Sequence, residues 1–131
     1  MRLTRASRYA IGALVHLARK PGQPLASHDI ARAENIPEWF LLKVLKPIAS
    51  AGILYSYRGP GGGYQLARPT KSVTLLEVIE TVEGPIRGQV EPWESADSGL
   101  HRKLQGVFDR AASEVRRQLQ KVTLADLAKS R

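Results

Sequence analysis

The stretch SHDIARAENIPEWFLLKVLKPIASAGILYSYRGPGGGYQLAR, residues 27–68, decides the fold: a short helix, a tight turn, a second helix and a glycine-rich hairpin follow one another without a linker. Ser27 has the side chain of a helix cap for a helix carrying Ile30 and Ala31. Asn35 tolerates the left-handed conformation that ends a helix, and Pro37 suits the first turn of the next one. In that next helix Phe40, Leu41, Val44, Leu45 and Ile48 recur as one buried face, with Glu38, Trp39, Leu42, Lys43 and Lys46 on the other. Pro47 removes the bond to the carbonyl of Lys43, at a cost of ~3 kcal/mol, so a kink or an early end is expected there, leaving a reading helix over 37–46. Beyond Gly52, Ile53 to Arg58 reads as a strand, Gly59-Pro60-Gly61-Gly62-Gly63 as a turn, and Tyr64-Gln65-Leu66 as the returning strand. The pattern is a winged helix-turn-helix, mainly α with a small β-hairpin wing.

A helix of this kind reads DNA with its free face. Glu38 can accept from a cytosine amino group, Trp39 and Leu42 can meet thymine methyls, and Lys43 can reach a guanine edge or a phosphate. Packing of Trp39 and Leu42 against the first helix or the wing is the open alternative. In the wing, Gly61, Gly62 and Gly63 let backbone approach a phosphate or a groove floor, and the guanidinium of Arg58 is drawn to a narrow A·T-rich minor groove. A nucleotide-binding loop is excluded, because no Gly-Lys-Ser/Thr follows and Tyr64 stands where the last glycine of G-x-G-x-x-G belongs.

Charge supports the same partner. The chain has 131 residues, one domain's worth, and a net charge of +8. Residues 1 to 71 hold 11 Lys/Arg against 3 Asp/Glu, whereas residues 72 to 131 hold 9 of each, so the whole excess lies on the helix-turn-helix side. Such a field attracts polyanions, with double-stranded DNA as the first expectation and an anionic membrane the second. No apolar run approaches the ~20 residues of a membrane span, and Met1-Arg2-Leu3 is not followed by a signal-peptide core, so a cytoplasmic protein is expected. With no cysteine there are no disulfides and no thiolate metal ligands.

Outside the reading unit, Thr4 can cap a first helix with Leu3, Ala6, Ala10, Leu14 and Leu17 on one face. Arg5 and Arg8 at its start are either phosphate contacts or a solvated surface. His28, and Ser27 beside it, can touch a phosphate, although an exposed helix start explains His28 as well. Thr74-Leu75-Leu76-Glu77 reads as a capping box opening a helix that stops at Gly84-Pro85. Residues 84–99 lose periodicity and read as an exposed loop. From Leu100, the residues Leu104, Val107, Phe108, Ala111, Val115, Leu119 and Val122 recur at spacings of three and four, the seam of a long amphipathic helix that cannot bury itself alone. Thr123-Leu124-Ala125-Asp126 caps a last short helix, followed by a loose basic tail.

No enzyme constellation converges. Ser27-His28-Asp29 are consecutive on a helix start, so their side chains diverge and cannot form a proton relay. Glu77, Glu80 and Glu83 form an acidic ridge that reads first as a solvated helix face and second as a metal site.

The ordered set Ala51-Gly52-Ile53, Ser56-Tyr57-Arg58-Gly59-Pro60-Gly61-Gly62-Gly63-Tyr64-Gln65-Leu66-Ala67-Arg68-Pro69, with the opening Met1-Arg2-Leu3-Thr4, Glu80-Thr81-Val82-Glu83-Gly84 and the closing Val122-Thr123-Leu124-Ala125-Asp126-Leu127, resembles the Rrf-two family of bacterial winged helix-turn-helix transcription regulators. The family includes iron–sulfur-cluster and nitric-oxide-sensitive members. The resemblance implies a DNA-binding unit over 1–83 with its wing at about 53–68, a loop over 84–99 at the family's cluster position, and a dimerisation helix with a short terminal helix over 100–131. It implies a homodimer that binds an inverted repeat, in the manner of a repressor, with Arg58 in the minor groove. In many members three loop cysteines hold an iron–sulfur cluster. Here Ser98-Gly99-Leu100-His101 resembles the end of that loop with serine where cysteine is usual, so no cluster and no metal site is expected. Control then falls to an effector or protein partner, to another modification, or to none. A dimeric module that binds nucleic acid through charge, or acts through a protein partner, is the alternative function.

Overall fold

A computed structural model describes residues 1–130. The chain runs α1 (Arg5–Ala18), α2 (Ser27–Glu34), α3 (Glu38–Ser50), β1 (Leu54–Tyr57), β2 (Gly63–Leu66), a 3-10 turn (Thr70–Ser72), α4 (Leu75–Glu83), α5 (Ser98–Gln120) and α6 (Leu124–Ala128). Helix α1 is the hub, packing against α2, α3, α4, α6 and β2. Its cap is Thr4, whose side chain accepts from the Ser7 amide at 3.1 Å. Because the helix starts at Arg5, the buried stripe is Ser7, Ala10, Ala13, Leu14 and Leu17; Leu3 lies outside it, half exposed, contrary to expectation. Ser7 is tolerated in the core because its hydroxyl donates to Glu83 at the end of α4.

Asn35 closes the helix-turn-helix turn in the left-handed conformation, φ 55° and ψ 50°, and the amide of buried Ile36 donates a hydrogen bond to the Ala31 carbonyl at 2.9 Å. Pro37 stands just ahead of α3, its carbonyl accepting from Phe40 and Leu41. Buried Leu41, Val44, Leu45 and Ile48 fix α3 to the core. Of the kink or early end expected at Pro47, the early end is not observed, and α3 continues to Ser50. The carbonyl that Pro47 leaves without a donor belongs to solvent-facing Lys43, while fully buried Ile48 keeps the last turn docked.

Ser27 does not cap α2. The cap position is Ala26, with no side-chain bond, and Ser27 is the first helical residue. The capping box of α4 is half formed: Thr74 accepts from the Glu77 amide at 3.1 Å, but the Glu77 carboxylate takes Arg68 Nη1 at 2.6 Å instead of its own helix start. Glu80 pairs with Arg116 and Glu83 accepts from Thr4 and Ser7, so each carboxylate of the acidic ridge is engaged by partners of its own. Among the described residues no group of three or more His, Asp or Glu is placed to hold a metal ion.

Helix α5 begins at Ser98, capped by Asp97, whose side chain accepts from the Leu100 amide at 2.7 Å. Val122 is therefore not part of the long helix; it lies past the Lys121 cap, and its carbonyl accepts from Leu75 at 2.8 Å. The first half of the preceding segment is not a free loop either. Gly84, Ile86, Gly88 and Val90 alternate inward as an extended strip lying on α5, and Gln105 Nε2 donates to the Gly88 carbonyl at 2.7 Å. The tail expected to be loose is tied as far as Ser130, since Arg19 donates to the carbonyls of Ala128 and Ser130 at 3.0 and 2.7 Å. Among the described residues no helix is long and apolar enough to cross a membrane.

Candidate nucleic-acid interface

The outer face of α3 carries Glu38, Trp39, Leu42, Lys43 and Lys46, all exposed, Trp39 at 68%. The sequence left Trp39 and Leu42 between DNA and the interior, and the fold turns both to solvent. Trp39 leans on Phe40 at a centroid distance of 5.3 Å, and Phe40 meets the edge of Tyr9 at 5.2 Å, so one aromatic chain braces α3 against α1. Arg8 sits beside the Tyr9 ring, 5.7 Å from its centroid, with Arg5 exposed one turn earlier. Among the described residues Arg5, Arg8, Lys43 and Arg58 form no ion pair, so their charge is available to a polyanion. His28 is exposed and paired with Asp29 at 3.1 Å.

In the wing, Leu54 pairs with Leu66 and Tyr57 with Gly63, placing exposed Arg58 directly after the last paired residue. The turn folds tightly, with the Gly62 amide donating to the Gly59 carbonyl at 2.9 Å and Gly61 at φ 75°. A Cβ on Gly62 would lie 2.5 Å from the Tyr57 carbonyl oxygen, and one on Gly63 would lie 2.1 Å from that of Leu25. Leu25 was not singled out in the sequence. It exchanges two backbone bonds with Tyr64, at 2.9 and 2.8 Å, which fasten the wing to the segment leading into α2. Ser27, two residues on, donates to Glu38 Oε2 at 2.9 Å, so one short stretch touches both the wing and the start of α3. No sequence signal marks either contact.

The second candidate surface is α5. It has no fully buried residue, and Leu100, Val107, Phe108 and Ala111 are exposed while Leu104, Val115 and Leu119 are half buried. Its hold on the rest of the chain is narrow. Arg116 Nε and Nη2 each donate to the Glu80 carboxylate at 2.9 Å, and the Ile86 amide donates to the same carboxylate at 2.8 Å. The bonds from Arg116 hold the Glu80 carboxyl below the usual glutamate range against the opposing effect of burial, with a smaller contribution from the Ile86 amide. The latch is therefore fully present above the ordinary glutamate value of about 4.3 and is lost as pH falls through the lower value of folded Glu80. Protection of the amides along 98–120, taken relative to their intrinsic exchange rate at each pH, should fall on acidification in that window, and Glu80→Gln should bring the lower protection to neutral pH.

The Rrf2 family model, described as an iron-dependent transcriptional regulator, matches residues 3–130. The HTH-type transcriptional regulator CymR of Bacillus subtilis is 31% identical over 129 residues, covering 98% of this chain and 90% of that protein. IscR of Cereibacter sphaeroides, another HTH-type transcriptional regulator, is 40% identical over 86 residues, covering 63% of this chain and 56% of that protein. The solved structure of CymR, the global cysteine regulator of B. subtilis, superposes with a TM-score of 0.80 at 30% identity, covering 100% of this chain and 98% of that one. The residues here do not fit a thiolate-held iron–sulfur group, because the chain has no cysteine. With helix-turn-helix, wing and long helix matched along nearly the whole chain, the protein belongs to the Rrf2 family of winged helix-turn-helix, DNA-binding transcription regulators, and it is not an enzyme.

Proposed function

We propose that the protein is a homodimeric, cytoplasmic repressor that reads an inverted-repeat operator with α3 in the major groove and the wing in the minor groove. The observation that carries this reading is the exposed outer face of α3, with Trp39, Leu42, Lys43 and Lys46 turned to solvent, in a chain whose wing is fastened by the Leu25–Tyr64 bonds to the segment leading into α2. Trp39 and Leu42 meet thymine methyls, Lys43 reaches a guanine edge, and Arg5, Arg8 and His28 flank them toward phosphates. Arg58 enters the narrow groove, with Gly59, Gly61, Gly62 and Gly63 keeping the tip slim. The seam Leu100, Leu104, Val107, Phe108, Ala111, Val115 and Leu119 pairs with a second copy, and two-fold symmetry sets two copies of α3 on half-sites about one duplex turn apart. Regulation proceeds without an iron–sulfur cluster, through an effector or protein partner docking on the strip over 84–97 and α5.

Footprinting on a duplex selected from random sequence tests the geometry. Two protected major-groove patches one turn apart, with minor-groove protection beside each, are expected; a single unstructured patch would contradict it. Arg58→Ala should cost about 1–3 kcal/mol of operator binding while leaving major-groove protection in place. Unchanged affinity would remove the wing from the interface.

A further inference from the structure

Ser27 has a hydroxyl that its own helix does not use. Ala26 holds the cap position of α2, and the Ser27 Oγ proton is given across the turn to Glu38 Oε2 at 2.9 Å. Among the described residues, Glu38 Oε1 has no hydrogen-bond or ion-pair partner, although the residue stands exposed as the first of α3. We propose that Ser27 is a specificity-determining positioning residue, which fixes the Glu38 carboxylate so that Oε1 is offered to one exocyclic amino group of the operator. This rests on the reading that α3 enters the major groove.

The chemistry follows from what a carboxylate can do. It only accepts hydrogen bonds, so it is complementary to cytosine N4 or adenine N6 and repelled by guanine O6 and N7 and by thymine O4. A glutamate free on three torsions near phosphates would swing toward solvent, lowering the electrostatic cost and losing the discrimination. One hydroxyl bond restrains it and leaves the second oxygen outward. The partial positive charge of the α3 start favours the carboxylate in that place. Ser27 is itself well anchored, two residues from Leu25, whose paired bonds to Tyr64 tie it to the wing.

The test uses the intact protein and a panel of duplexes in which each operator base pair is replaced in turn, with Ser27→Ala, Ser27→Thr, Glu38→Ala and the Ser27→Ala/Glu38→Ala double variant. Ser27→Ala and Glu38→Ala are expected to lose about tenfold of discrimination at the same base pair, and nowhere else. Ser27→Thr keeps the hydroxyl and should restore it, and the double variant should lose no more than Glu38→Ala alone. Equal weakening by Ser27→Ala on every duplex would make Ser27 a phosphate contact and overturn the proposal, as would retained discrimination in a Ser27→Ala protein of unchanged melting temperature. Absence of any sequence preference in the unsubstituted protein would instead overturn the DNA-reading assignment beneath it.

Discussion

Replacing Val107 and Phe108 together with aspartate should convert the proposed homodimer to a monomer at micromolar concentration and lower operator affinity by about a hundred to ten-thousandfold. Both side chains stand about half exposed, at 50% and 49%, on the outward side of a helix roughly 35 Å long. Seating an apolar side chain of that size contributes about 1.5–3 kcal/mol, and the two-fold axis doubles every contribution. Aspartate removes this and places like charges across the axis. The affinity loss follows because a linked pair of half-sites binds by effective concentration, and unlinking it forfeits that advantage. The fold itself should persist, since α5 is held to its own subunit through Arg116, Glu80 and the Gln105–Gly88 bond, none of which is altered. Sedimentation and circular dichroism separate the two effects. A variant that remained dimeric with unchanged operator affinity would place the dimer interface elsewhere.

Gly63→Ala should lower stability by about 2–5 kcal/mol and abolish wing-dependent binding with it. Gly63 has φ 143°, a region hostile to a side chain, and a Cβ would sit 2.1 Å from the Leu25 carbonyl oxygen, 2.4 Å from its carbon and 2.8 Å from the Ala26 nitrogen. Those neighbours are backbone, so relief requires parting the Leu25–Tyr64 bonds that seat the wing. Gly61→Ala is the internal control. It shares a positive φ, 75°, but has open space around the new methyl, so it should cost only the backbone strain of roughly 1–2 kcal/mol. Thermal melting of the pair separates steric clash from lost flexibility; equal melting temperatures would mean that the wing base yields easily.

The reading helix and hairpin were legible because their signals are local. The apolar spacing of α3, the left-handed Asn35 and the glycines between two short strands each act within a few residues. The misreadings lie where a distant group decides. Ser27 looks like a cap until Glu38, eleven positions on, takes its hydroxyl; Glu77 looks like half of a capping box until Arg68 arrives. Pro47 should stop a helix by local rules, but burial of Ile48 keeps the final turn in place. Val122 continues the periodicity of α5 and yet belongs to the turn that pairs with Leu75. The candidate interface shares this division: its outward residues can be counted off the helix period, whereas the fastening of the wing through Leu25 needs the fold.

The most direct test of sequence-specific regulation is fluorescence anisotropy of the protein with duplex DNA from upstream of its own gene, beside a scrambled duplex, across a salt series. A preference of about a thousandfold or more that survives at physiological salt is the expected result. Equal binding to both duplexes, falling steeply and in parallel with salt, would contradict it and make the basic surface a charge-driven module.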